Sequence, residues 1–171
     1  MIESIAFKIA SSMKRINPDL PQSVAKLEYA LIILLNGSTV VLCSLAIGFV
    51  IGTLEETALF LVAFASLRQV SGGYHLSTAL GCAIVSIGMA VIVPFIPVTQ
   101  NVGLILNCVS LVLVTLFSPS NIENQSRLPA RCYPLLKIIS IAIVIASALI
   151  ALPIITKAVF LQSLSLIRIR R

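Results

Sequence analysis

The sequence predicts an all-α, polytopic integral membrane protein, with about six transmembrane helices following an amino-terminal interfacial amphipathic helix. Three observations carry that expectation. Of 171 residues, 58% are hydrophobic and 11% charged, against about 25% charged in an ordinary soluble domain, and mean hydropathy is +1.09. The charges are clustered, with none between Glu28 and Glu55 and none in the 54 residues between Arg68 and Glu123. The apolar runs left between clusters approach the roughly 20 residues that cross a hydrocarbon layer.

This composition excludes several classes. Six acids and twelve bases cannot cover the surface of so apolar a core in water, so a soluble enzyme is excluded. Disorder, collagen and a disulfide scaffold fail too, because Gly and Pro number eight each and only four Cys are present. The net charge of +6 does not point to nucleic acid. The bases sit at the edges of apolar runs, where they meet lipid headgroups rather than forming a continuous stripe.

A single membrane-embedded domain over residues 1–171 is expected. Residues 1–26 begin with Ile2, Ile5, Ala6, Ile9 and Met13 at helical spacing, with Lys8, Lys14 and Arg15 off that stripe, the pattern of an interfacial helix. Glu3 and Lys8 break any secretory signal core. Asn17-Pro18-Asp19 and Pro21 end the helix, since proline lacks the amide donor and biases its predecessor away from helix. Spans are expected near 29–54, 55–70, 79–98, 102–117, 138–152 and 154–167. The second is short and relies on Arg68 snorkelling to the headgroups. Pro153 separates the last two runs, the final one being the weakest span.

Base counting sets the orientation. With a cytoplasmic amino terminus and six crossings, the inner segments hold Lys8, Lys14, Arg15 and Lys26, then Arg68, then Arg127, Arg131 and Lys137, then Arg168, Arg170 and Arg171, leaving only Lys157 outside. Both termini are therefore expected in the cytoplasm. Merging the last two runs into one kinked helix would bury Lys157 and put three arginines outside.

Within the long uncharged run lies Arg68-Gln69-Val70-Ser71-Gly72-Gly73-Tyr74-His75, followed by Cys82. It is the one place where a His can meet a thiol. In a cysteine hydrolase the imidazole takes the thiol proton and the thiolate attacks a carbonyl, giving an acyl-enzyme. That needs the two groups within about 3 to 3.5 Å. On a continuous helix, residues seven apart are separated by about 10.5 Å along the axis, so His75 must lie on non-helical chain folded back over the first turn of the Cys82 helix. Gly72-Gly73 supplies the backbone freedom, and Ser77, Thr78 or both can cap the helix. Cys82 then sits near a helix amino terminus, where the dipole favours a thiolate.

The default reading of a membrane-helix cysteine is a small packing residue, and Cys43, Cys108 and Cys132 are read so. No metal is expected, because one His with dispersed cysteines lacks a zinc-site spacing, and no cofactor is implied. Candidates to orient His75 are Gln69, Glu123 and Asn124. Asn36, Ser38 and Thr39 lie mid-span and are expected to make interhelical hydrogen bonds. A non-enzymatic transporter or carrier subunit is the competing reading, with His75 and Pro94/Pro97 lining a pathway. The spans contain no acidic residue to bind a coupling ion.

Taken together, Arg68, Gly72-Gly73, His75 and Cys82, set between a short apolar span and a longer one, resemble the active-site segment of the accessory gene regulator protein B family. Its members are bacterial membrane cysteine endopeptidases that process the precursor of a quorum-sensing autoinducing peptide. The likeness extends to chain length, hydropathy, the basic amino-terminal segment and the loop Ser118-Pro119-Ser120-Asn121-Ile122-Glu123-Asn124-Gln125. Where family members often carry lysines after that loop, this chain has Gln125-Ser126-Arg127. The resemblance implies Cys82 as nucleophile and His75 as general base, with Arg68 and Gly73 needed for architecture or substrate. It also implies an AgrD-like precursor peptide as substrate, with an acidic tail drawn to Arg68, Arg127, Arg131 and Lys137, and a location in the bacterial cell membrane. A homodimer is compatible with so small a membrane enzyme.

Overall fold

The computed structural model describes residues 2–74, 78–120 and 130–167. They form seven α-helices, and no strand occurs among the described residues. Helix α1 (Ile2–Ile16) stops before Pro18, and Lys14 in its last turn donates to the freed Pro18 carbonyl at 2.8 Å. Ala6 and Ala10, one turn apart, are wholly buried where α1 lies on the next helix. Ile5, Phe7, Ile9, Met13 and Ile16 remain exposed.

Helix α2 (Val24–Ile51) runs 28 residues, about 42 Å at 1.5 Å per residue. It begins earlier than expected because Lys26 and Glu28 fit in its solvated first turns. It ends sooner because Gly52 adopts φ +77° and closes it with a hydrogen bond to Gly48, leaving Leu54 to start the next helix. Helix α3 (Leu54–Ser71) opens with Glu55 and Glu56, whose charges suit a helix amino terminus. It crosses α2 closely, since a Cβ on Gly48 would fall 2.8 Å from the Thr57 hydroxyl.

Helix α4 (Ala79–Ile92) runs into a single 3-10 turn at Val93–Phe95, where Pro94 removes a donor. Helix α5 spans Gln100–Phe117 and α6 spans Tyr133–Ile150. Ala151 then takes a left-handed conformation (φ 54°), and α7 (Pro153–Leu164) starts with Pro153 in its first turn. Pro153 is thus the start of a separate helix and not a kink.

Side-chain hydrogen bonds fix the directions of the last three helices. At one end Ser118 bonds Ser140 (3.2 Å) and Ser120 bonds the Leu166 carbonyl (3.2 Å). At the other, Asn107 donates to Thr156 (3.2 Å) and accepts from Ser147 (3.1 Å). Helices α5 and α7 therefore run parallel with α6 antiparallel between their ends. The Lys157 ammonium donates to the Val93 and Ile96 carbonyls at 2.8 and 3.0 Å, tying the start of α7 to the end of α4.

Helix α7 is the centre of the bundle, packed on α3, α5 and α6, with seven of its twelve residues buried. One apolar cluster joins Phe60, Ala90, Val93, Ile154 and Ala158, and a second joins Leu67, Val114, Val144, Val159 and Leu166. The outer surface is apolar: Leu34, Phe49, Val50 and Leu149 are all more than 60% exposed, an arrangement suited to lipid and not to water. Helices α2, α5 and α6 are each long and apolar enough to cross a membrane, and Ala79–Phe95 and Pro153–Leu164 are shorter apolar helices. The chain is a membrane protein. Thr39 bonds the Leu35 carbonyl of its own helix and Asn36 Oδ1 is buried without a partner. Among the described residues the interhelical bonds expected of them are not made; for Thr39 the hydroxyl reaches its own i−4 carbonyl more easily than a neighbouring helix.

Candidate active site

Four helix ends meet at one end of the bundle: the last turns of α3, α5 and α7 and the first turn of α4. Thr78 is the N-cap of α4. Its hydroxyl accepts from Gly81 N–H at 3.1 Å and its carbonyl from Cys82 N–H at 3.1 Å. Cys82 therefore occupies the first turn of α4, as a half-buried free thiol. A negative charge there faces the positive end of the helix dipole.

Arg68, in the last turn of α3, lies within electrostatic range of Cys82. Its guanidinium donates to Gln162 Oε1 (3.3 Å) and to the Tyr74 carbonyl (3.1 Å), and sits 5.8 Å from the centre of the Phe64 ring. Gly72 (φ +70°) ends α3 and Gly73 has φ +136°. Both conformations are strained for any residue with a Cβ. The turn they form is held on several sides. Gly73 N–H donates to the Ser120 carbonyl (3.0 Å), Ser120 N–H to the Ser71 carbonyl (2.8 Å) and Tyr74 N–H to the Ser165 carbonyl (2.8 Å). Gly73 itself lies so close to α7 that an added Cβ would sit 2.6 Å from the Ser165 hydroxyl and 3.2 Å from Gln162 Nε2.

Of the residues singled out from sequence, Arg68, Gly72, Gly73 and Cys82 converge here. Gln69 is exposed on α3. His75, Glu123 and Asn124 lie outside the described residues, as do Arg127 and the final arginines. Arg131 and Lys137 flank the start of α6. No group of three metal-ligating side chains occurs among the described residues.

Sequence reasoning missed Gln162 and Ser165, and named Ser120 only as part of the loop after α5. Gln162 is completely buried, and its amide is used at both ends, donating to the Gly72 carbonyl (2.7 Å) and Ser71 hydroxyl (3.4 Å) while accepting from Arg68. The available signal was the polar group Gln162, Ser163 and Ser165 inside an otherwise apolar run, which in a membrane helix marks contact with protein rather than lipid.

The family model of accessory gene regulator B matches residues 2–169. The chain belongs to the accessory gene regulator B family. A curated protein named AgrB-like, from Halalkalibacterium halodurans, is 27% identical over 110 residues, covering 64% of this chain and 56% of the relative. The chain thus matches little more than half the length of that relative. No solved structure matches. Accessory gene regulator B proteins act in the processing of autoinducing peptides and are associated with the AgrD precursor.

Proposed function

We propose that the chain is a membrane cysteine endopeptidase that cleaves an AgrD-like precursor, with Cys82 as nucleophile and His75 as general base. The observation that carries the reading is the setting of Cys82. The thiol lies in the capped first turn of α4, in electrostatic range of Arg68, at the bundle end where the braced turn Gly72–Tyr74 leads into His75.

In this reading His75 takes the Cys82 thiol proton. The thiolate forms an S–C bond to the scissile carbonyl, and the C–N bond breaks as the imidazolium gives its proton to the departing amine. The acyl group then passes to a cysteine thiol of the substrate, making one thioester as another breaks and releasing a cyclic thiolactone. The exchange is nearly neutral in bond energy, so exclusion of water decides between cyclisation and hydrolysis. In this reading the chain makes six crossings with both termini in the cytoplasm and the site at the inner face, supported by the base distribution and by the alternating directions of α5, α6 and α7.

Co-expression of a precursor with wild type, Cys82→Ser and His75→Ala tests the assignment. Both variants should leave the peptide at full length while accumulating in the membrane. Trimming by either one refutes it. A linear product alone from purified enzyme in lipid would refute the transfer step while leaving the cleavage intact.

A further inference from the structure

We infer that Gln162 is a positioning residue of this site, setting the Arg68 guanidinium and the Gly72–Tyr74 turn relative to Cys82; the inference rests on the cysteine endopeptidase reading.

The Gly72 carbonyl can only accept and the Arg68 guanidinium can only donate, so Nε2 must face Gly72 and Oε1 must face Arg68. Reversing the amide would oppose two acceptors on one side and two donors on the other. Because the side chain is fully buried, water cannot take over either bond. Gln162 therefore has one allowed state, and it transmits that state to two groups.

The first is the turn. Gly72, Gly73 and Tyr74 have no regular secondary structure to fix them, yet the Gly72 carbonyl is held by Gln162, Gly73 N–H by Ser120, Tyr74 N–H by Ser165 and the Tyr74 carbonyl by Arg68. The second is Arg68 itself. One of its terminal nitrogens is anchored on Gln162 and the other on Tyr74, and the same guanidinium is the charged group in electrostatic range of Cys82. Through Arg68, Gln162 is tied to the Tyr74 carbonyl as well as to the Gly72 carbonyl, and so to both ends of the turn. Among the described residues it makes no hydrogen bond to the thiol.

A residue that only fills space would be replaceable by methionine, which has the same length and no hydrogen bonds. The test uses the full chain in lipid vesicles, comparing wild type, Gln162→Met, Gln162→Glu and Cys82→Ser. Two rates are measured per molecule of membrane-inserted protein: precursor cleavage, resolved into kcat and KM, and alkylation of Cys82 by iodoacetamide at one pH. Gln162→Met should lower kcat by about tenfold, the loss of one hydrogen bond to a charged group, with KM within about twofold and slower alkylation. Gln162→Glu, which keeps an acceptor for Arg68 but sets a second acceptor against the Gly72 carbonyl, should also lower kcat.

A wild-type kcat and alkylation rate in Gln162→Met overturns the inference. So does a loss confined to the amount of protein inserted, with both rates per molecule unchanged. Should Gln162→Met fail to accumulate, Gln162→Glu decides on the same readouts, a wild-type kcat overturning the inference. Cleavage by Cys82→Ser would instead remove the endopeptidase reading, so the two failures are distinct.

Discussion

Replacing Gly73 by alanine is the sharpest test of how the turn is built. At φ +136° an L-residue is strained, at a cost on the order of 1–3 kcal/mol. The new methyl would also sit 2.6 Å from the Ser165 hydroxyl. That hydroxyl is not free to swing away without loss, because it donates to the Gln162 carbonyl at 2.7 Å. The Ser165 carbonyl, 3.4 Å from the same methyl, cannot recede without releasing Tyr74 N–H. Overpacking of this kind costs about 1–3 kcal/mol, so the total is about 2–6 kcal/mol, a large share of a typical stability of roughly 5–15 kcal/mol. The assay is a thermal unfolding midpoint in lipid alongside precursor cleavage, with Gly88→Ala as control. Gly88 lies inside α4 with nothing within 4 Å of an added Cβ, so its replacement should stabilise by about 0.5–1 kcal/mol through helix propensity. The double variant Gly73→Ala/Ser165→Ala should relieve the clash with the hydroxyl and retain the backbone part. A Gly73→Ala protein with wild-type midpoint and cleavage would refute the reasoning.

Two further outcomes follow from the helix ends. Thr78→Val removes the cap that accepts from Gly81 N–H and should cost about 1 kcal/mol, read as a lower midpoint and slower alkylation of Cys82, while Thr78→Ser should retain both. Lys157→Met leaves the Val93 and Ile96 carbonyls without their donor, costing about 1–3 kcal/mol. Because Lys157 sits at the end of the bundle away from Cys82, the midpoint should fall while KM for the precursor stays at its wild-type value.

What could be read from the sequence is what depends on neighbours along the chain. Apolar runs, the proline-rich break after Ile16, the separate start at Pro153 and the capping of the Cys82 helix by Thr78 are all local, and each is found. The exact ends of α2 were less legible, since charges at a helix terminus are compatible with either side of the boundary and Gly52 decides the stop through its left-handed conformation. The importance of the last helix was not legible at all. Its apolar run is short and contains Lys157 and Gln162, features that count against a lipid-facing span. In the structure they mark a helix surrounded by protein, where a buried polar group finds partners 61 to 94 residues away in sequence. Periodicity carries no information about pairings at that separation. The same limit hid the roles of Ser120 and Ser165, whose backbone carbonyls hold the turn and whose hydroxyls bond the Leu166 and Gln162 carbonyls.

The central place of α7 has a consequence for biogenesis. It leaves the ribosome after every helix it packs against, so the inward faces of Phe60 and Val114 are made before the Ile154, Ala158 and Val159 that cover them. Closure of the bundle therefore waits on the last helix, and a nascent chain halted before Pro153 would lack the segment that fills both apolar clusters.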